Sequence, residues 1–156
     1  MATFISNSPA ETEALGRQHA EKLRPGSVLA LAGELGSGKT VYVKGIAAGL
    51  GCQVEVTSPT FTIVHEYPGG MLPVYHFDFF RVENPEAFTR IGLDDYLFGD
   101  GVSVIEWADR FPDLLPEKTQ WLRFEIQSGN RRAITFDETR FQRNRPPAAE
   151  HRRPPA

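Results

Sequence analysis

Gly33-Glu34-Leu35-Gly36-Ser37-Gly38-Lys39-Thr40 decides what kind of fold this chain of 156 residues adopts. The stretch matches the phosphate-loop pattern G-x-x-x-x-G-K-[ST] at every fixed position. Three glycines let the backbone curl so that successive N–H groups point at phosphate oxygens, and the helix that follows adds its positive N-terminal end. In that chemistry Lys39 reaches the β- and γ-phosphates and the Thr40 hydroxyl ligates Mg²⁺. The flanks agree: the apolar run Val28 to Ala32 reads as a short buried strand, and Lys39 to Leu50 reads as a helix ended by Gly49 and Gly51. Nucleotide binding is therefore expected. The guanine-reading patterns N-K-x-D and T-K-x-D occur nowhere in the chain, which favours ATP over GTP.

Working outward, Ser8-Pro9-Ala10-Glu11 opens a helix by a capping box with proline at the first helical position, and Leu15, His19 and Leu23 recur every four residues until Pro25-Gly26 stops it. Downstream the pattern changes to strands. Phe61 to Tyr67 and Leu72 to Phe79 flank a turn at Pro68-Gly69-Gly70, and Trp121 to Ile126 and Ala133 to Asp137 flank another at Gly129-Asn130. Asn84-Pro85-Glu86 starts a short helix, and Val102 to Glu106 is a short strand. Hairpins and crossovers together predict an α/β fold, a P-loop domain over residues 1–139 with a mixed central sheet flanked by helices. Residues 140–156, rich in Arg and Pro, form a tail too poor in apolar residues to fold, and disorder is expected there.

Composition bounds the function. Hydrophobic residues make up 40% and charged residues 24%, as in ordinary globular proteins. The formal charge of −3 is uneven: residues 140–156 carry five arginines and one glutamate, a tail of +4 on a body of −7. An acidic body is a poor surface for a phosphate backbone, so autonomous nucleic-acid binding is disfavoured, and a direct nucleic-acid contact is left to the basic tail. The single cysteine, Cys52, excludes an internal disulfide and a thiolate metal cluster. The longest apolar run is far too short to cross a bilayer. Glu11 and Glu13 precede the first basic residue, Arg17, the wrong charge order for a secretory signal, so the expected location is the cytoplasm.

A phosphate loop needs a carboxylate at the end of a neighbouring strand. Asp78, ending Val74-Tyr75-His76-Phe77-Asp78, and Glu106, ending Val102-Ser103-Val104-Ile105-Glu106, both qualify. Alternation places Val74, His76 and Asp78 on one sheet face and Tyr75, Phe77 and Phe79 on the other. His76 reads equally as a structural or a catalytic histidine. Arg81 and Arg110 are candidates to neutralise phosphate charge, although most arginines simply face solvent. Phe77, Phe79 and Phe80 read more readily as core than as a stacking platform, with Trp107 set apart by its place after Glu106.

The phosphate loop, Ser58-Pro59-Thr60-Phe61, His76-Phe77-Asp78-Phe79-Phe80-Arg81, Gly92-Leu93 and Glu106-Trp107 together resemble the TsaE (YjeE) family, bacterial ATPases needed to make threonylcarbamoyladenosine on tRNA. The resemblance runs from about Ser8 to Asp137 with family-like spacing. It implies a weak Mg²⁺-dependent ATPase that acts as an accessory subunit to TsaB-like and TsaD-like partners, in forming the threonylcarbamoyl group on the adenosine next to the anticodon. The tRNA would then be met indirectly, through the assembly. By the same resemblance Lys39, Asp78 and Glu106 are catalytic, and Thr40, Glu106 and Asp78 form the metal set with Asp78 beside the γ-phosphate. The nucleotide would touch Gly33 to Val41, Trp107, and Thr60 in a switch-like loop, and Glu11 and Thr12 would border the adenine. Two departures stand out. Val41 replaces a second hydroxyl after Lys-Thr, leaving its backbone N–H, and Phe80 stands where tyrosine is frequent.

Two other classes compete. A small-molecule P-loop kinase needs an acceptor pocket and an arginine-bearing lid, yet Asp100 to Pro116 holds only Arg110. A non-catalytic nucleotide sensor would bind ATP without hydrolysing it even beside its partners.

Overall fold

A computed structural model of the protein describes residues 2–53, 56, 63–80 and 82–136. The Ser58–Phe61 segment with Thr60, Arg81, and the tail 140–156 lie outside the described residues. Strands are β1 (Ala2–Ser6), β2 (Val28–Gly33), β3 (Val64–Tyr67), β4 (Val74–Asp78), β5 (Val102–Glu106), β6 (Gln120–Ser128) and β7 (Arg131–Phe136). Helices are α1 (Pro9–Ala20), α2 (Lys39–Gly49), α3 (Glu86–Arg90) and α4 (Leu93–Leu97). The strands form one sheet in the order β1-β7-β6-β2-β5-β4-β3. β2 lies parallel to both β5 and β6, β4 is parallel to β5, and the β3/β4, β6/β7 and β1/β7 pairs are antiparallel. The mixed sheet read from the sequence is the observed one.

Period-two alternation sorts the central strands into two cores. Leu29, Leu31, Val104, Leu122 and Phe124 pack with Tyr42, Val43 and Ile46 of α2 on one face. Val28, Ala30, Phe77, Ile105 and Trp121 pack with Phe88 and Leu97 on the other. A strand covered on both faces reads as an unbroken apolar run, and β2 is buried through Ala32 for that reason.

Local starts and stops follow the sequence with small shifts. Ser8 Oγ accepts from Glu11 N–H at 3.1 Å, while Glu11 Oε1 accepts from Asn7 N–H rather than from the cap residue itself. α1 ends at Ala20, short of Pro25-Gly26, because Lys22 and Leu23 N–H bond three residues back, to His19 and Ala20 carbonyls. Those tighter turns tuck Leu23 into the core. One element went unread: β1 is an edge strand with Phe4 and Ile5 exposed, so no buried face marks it in the sequence. Its ladder to β7 defines it, aided by the Phe4–Phe136 edge contact.

α1 and α2 approach closely through glycine. A Cβ on Gly45 would stand 2.0 Å from the Glu13 carbonyl oxygen, and one on Gly16 would stand 2.3 Å from that of Tyr42. This contact carries the N-terminal turn of α1 to the phosphate loop, where the Thr12 methyl lies against Gly38.

His19 ties the same layer to the sheet: its Nδ1 lies 2.6 Å from Tyr42 Oη on α2 and its Nε2 lies 3.0 Å from Gln120 Oε1 on β6. Gln120 offers an acceptor there, so Nε2 carries the proton and Nδ1 accepts from the tyrosine. Burial lowers the His19 pKa from 6.5, only partly offset by the Gln120 bond, with Lys22 lowering it further. Below 6.5 the unfolded chain binds a proton that the folded chain resists, so folding stability should fall as pH drops from 6.5 towards the folded pKa. Denaturant midpoints measured across that window are expected to decline, and His19→Gln is expected to flatten the decline.

Candidate nucleotide site

The site lies where β2, β5 and β4 end side by side. Register sets Leu31 opposite Glu106 and Glu106 opposite Asp78, so both predicted carboxylates stand at neighbouring strand ends on the α2 side. The chain leaves β2 at Gly33 and curls through Gly36 and Gly38, whose φ values of 78° and 102° suit glycine, before α2 begins at Lys39.

Lys39 is buried and folded back on its own loop. Its Nζ donates to the Gly33 and Glu34 carbonyls, the latter at 3.0 Å, and sits 4.0 Å from the centroid of the Trp107 ring. Burial lowers its pKa, and Glu106, Asp109, Asp78 and Glu34 pull it part of the way back. Desolvation outweighs these carboxylates, and a phosphate brought against the ammonium would offset it. Ser37 N–H is engaged with the Glu34 carbonyl, and Ser37 Oγ is buried without a partner among the described residues. Leu35 is 84% exposed at the tip of the loop.

Thr40 Oγ1 donates to both Glu106 oxygens, at 3.1 and 2.9 Å, and Glu106 is only 3% exposed. A hydroxyl and a carboxylate touching at the start of a phosphate-loop helix are hard oxygen donors of the kind Mg²⁺ takes alongside substrate phosphates, so the residues present fit that ion. Asp78 shapes the chain turn: its Oδ1 accepts from Phe80 N–H at 2.8 Å.

Trp107 follows Glu106 with φ 57° and ψ 35°, and among the described residues it is the one non-glycine at positive φ. Such a conformation costs about 1–3 kcal/mol and persists where the surroundings demand it. Here it brings the indole over Lys39 and against Phe80, with ring centroids 4.8 Å apart. Phe77 and Phe79 are fully buried, as core, whereas Phe80 is 50% exposed at the mouth of the site.

Other sequence candidates divide. Thr12 is buried beside Gly38 with its hydroxyl 2.7 Å from Ser6 Oγ, and Glu11 caps the chain entering α1. Arg110 is committed elsewhere: it donates to the Phe80 and Val82 carbonyls at 2.8 and 3.1 Å, strapping down the segment after β4. Two groups escaped sequence reading, Arg132 and Tyr67. Arg132 on β7 donates to the Gly36 carbonyl at 3.1 Å and so braces the loop tip. Tyr67 Oη lies 2.9 Å from His76 Nδ1, and His76 Nε2 lies 2.6 Å from Glu106 Oε2. A tyrosine closing one strand of a hairpin whose other strand carries the histidine was the available signal for Tyr67. Arg132 left none, because its contact depends on which strands become neighbours.

Residues 6–134 match the model of the family described as threonylcarbamoyl adenosine biosynthesis protein TsaE. This chain is a member of the TsaE family. It is similar to the tRNA threonylcarbamoyladenosine biosynthesis protein TsaE of Bacillus subtilis, with 43% identity over 129 residues, 83% of this chain and 80% of that one. The Treponema pallidum protein of the same name is 42% identical over 131 residues, 84% of this chain and 96% of its own. Among solved structures, Bacillus subtilis YdiB superimposes with a TM-score of 0.72 at 38% identity, covering 86% of this chain and 83% of that one. Membership of this family implies use of a nucleotide. No helix among the described residues is long and apolar enough to cross a membrane.

Proposed function

We propose that this chain binds ATP with Mg²⁺ and hydrolyses it slowly, as a nucleotide-dependent accessory subunit in threonylcarbamoylation of tRNA adenosine next to the anticodon. It works in the cytoplasm with TsaB-like and TsaD-like partners, which hold the tRNA. The observation that carries the ATPase reading is the Thr40–Glu106 contact at the foot of an intact phosphate loop. The tRNA role rests on family membership.

In this reading Lys39 leaves the Gly33 and Glu34 carbonyls for the β- and γ-phosphates, and loop N–H groups from Gly33 to Val41 hold the remaining oxygens. Thr40 and Glu106 hold Mg²⁺, which when bound screens the charge between phosphate oxygens. Asp78, one strand further, orients the attacking water beside the γ-phosphate. Trp107 covers the site from the β5 side and keeps bulk water away from Lys39. Arg110 is occupied by backbone carbonyls and Arg132 by the loop tip. An arginine supplied by a partner would raise the rate, and alone the chain turns over slowly. Arg110's engagement likewise weakens the kinase alternative, which asks it to move with a lid.

The test is made in cells whose own copy is depleted. Glu106→Ala is expected to abolish the threonylcarbamoylated nucleoside in bulk tRNA, and the purified wild-type chain is expected to hydrolyse ATP at least tenfold faster once both partners are added. Unchanged nucleoside levels in the Glu106→Ala strain would overturn the proposal, as would rapid partner-free phosphorylation of a small metabolite.

A further inference from the structure

Behind the Thr40–Glu106 contact runs a line of buried polar groups that the proposed reaction leaves unused. His76 is completely buried in the middle of β4, on the face where Val74, Val104 and Tyr67 form core. An imidazole in such surroundings is costly unless both nitrogens are bonded. Both are: Nε2 to Glu106 Oε2 at 2.6 Å and Nδ1 to Tyr67 Oη at 2.9 Å. A carboxylate only accepts, so Nε2 carries the hydrogen and the Nδ1 lone pair takes the tyrosine hydrogen. Tyr67 thereby selects the tautomer that can hold Glu106.

Among the described residues the Glu106 carboxylate has two side-chain donors, Thr40 and His76. The Thr40 hydroxyl has one hydrogen and two lone pairs, so as a lone pair turns towards a cation its single hydrogen can reach at most one of the carboxylate oxygens. His76 then remains as the donor on Oε2, keeping Oε1 turned to the loop. Without it the carboxylate is free to swing towards Lys39, for which it is already the strongest nearby counter-charge. A carboxylate collapsed onto that ammonium would compete with phosphate and be lost to the metal.

We propose that His76 and Tyr67 are positioning residues that hold Glu106 in its metal-binding orientation. The inference rests on the reading of Glu106 as a metal group, and its test separates the two. Mn²⁺ binding is followed by electron paramagnetic resonance on the full chain with a non-hydrolysable ATP analogue, and analogue affinity is measured separately in EDTA. His76→Ala is expected to weaken Mn²⁺ binding by about 10–100-fold, the usual cost of losing a partner that orients a ligand. Tyr67→Phe removes one hydrogen bond and is expected to weaken it roughly three- to tenfold. His76→Gln, which can place an amide N–H near the Nε2 position, is expected to recover most of the loss. Affinity for the analogue in EDTA stays at the wild-type value throughout. In a Glu106→Gln background neither Tyr67→Phe nor His76→Gln adds a further loss, because both act through that carboxylate.

The inference is overturned if Tyr67→Phe and His76→Ala bind Mn²⁺ as wild type does while Glu106→Gln does not, or if their losses persist undiminished on top of Glu106→Gln. Wild-type Mn²⁺ affinity in Glu106→Gln itself would instead remove the metal-site reading and the relay with it. Should His76→Ala fail to fold, Tyr67→Phe, which keeps the buried ring, carries the test.

Discussion

Lys39→Ala is expected to lower ATP affinity by roughly a hundredfold or more while leaving the unliganded protein at least as stable as wild type. The two halves of this expectation have one origin. Lys39 is buried, its pKa is lowered by that burial, and its hydrogen bonds go to neutral carbonyls rather than to a single paired carboxylate. Removing it relieves a desolvation cost and leaves the Gly33 and Glu34 carbonyls at the mouth of the loop, where water can replace the ammonium. Two charge-assisted hydrogen bonds to phosphate, at about 1.5–3 kcal/mol each, vanish from the complex. Binding can be followed through Trp107, which sits over the ammonium and is one of only two tryptophans. In a thermal melt the wild type should gain about 2.7 kcal/mol at a hundred times its Kd for ATP, and the variant at the same concentration at most about 0.4 kcal/mol. Affinity within threefold of wild type would mean that Lys39 stays on its carbonyls in the complex, and the loop would not be the phosphate site.

Much of this site was legible because its parts are local. The glycine spacing, the lysine and the threonine are contiguous, and the curl and the α2 start they dictate are the ones observed. The positions of Glu106 and Asp78 were legible because each closes a short apolar strand, and alternation placed His76 on their face correctly. What stayed hidden depends on strand order and on backbone conformations that no local pattern encodes. That Leu31, Glu106 and Asp78 fall into one row requires β2, β5 and β4 to be neighbours. Tyr67 becomes a partner of His76 only once the β3/β4 register is set. The left-handed turn at Trp107 runs against the preference of an aromatic residue, and it is held by contacts to Lys39 and Phe80 from two other segments. Arg110 illustrates the opposite error. Charge alone made it a phosphate candidate, but two carbonyls displayed by the chain after β4 take its guanidinium.

Asp78→Asn is expected to retain ATP binding and lose hydrolysis, by about 10²–10⁴-fold in the partner-stimulated rate, the range for removing a group that handles the proton of an attacking water. The substitution is chosen because Asp78 does two things. Its Oδ1 accepts from Phe80 N–H at 2.8 Å, which shapes the turn that Arg110 then straps down. An asparagine Oδ1 can accept the same bond, so Phe80 should stay against Trp107 and the mouth of the site should keep its form. What asparagine lacks is the charge. Without it a nearby γ-phosphate meets one anion fewer, and affinity for ATP should hold or tighten slightly. Asp78→Ala provides the contrast: it removes both the turn acceptor and the charge, and is expected to lower the melting temperature as well as the rate. Single-turnover hydrolysis with both partners present, alongside a binding isotherm, separates the outcomes. If Asp78→Asn hydrolyses ATP at the wild-type rate, the carboxylate serves the turn alone, and Glu106 would be left as the acidic side chain on which turnover depends.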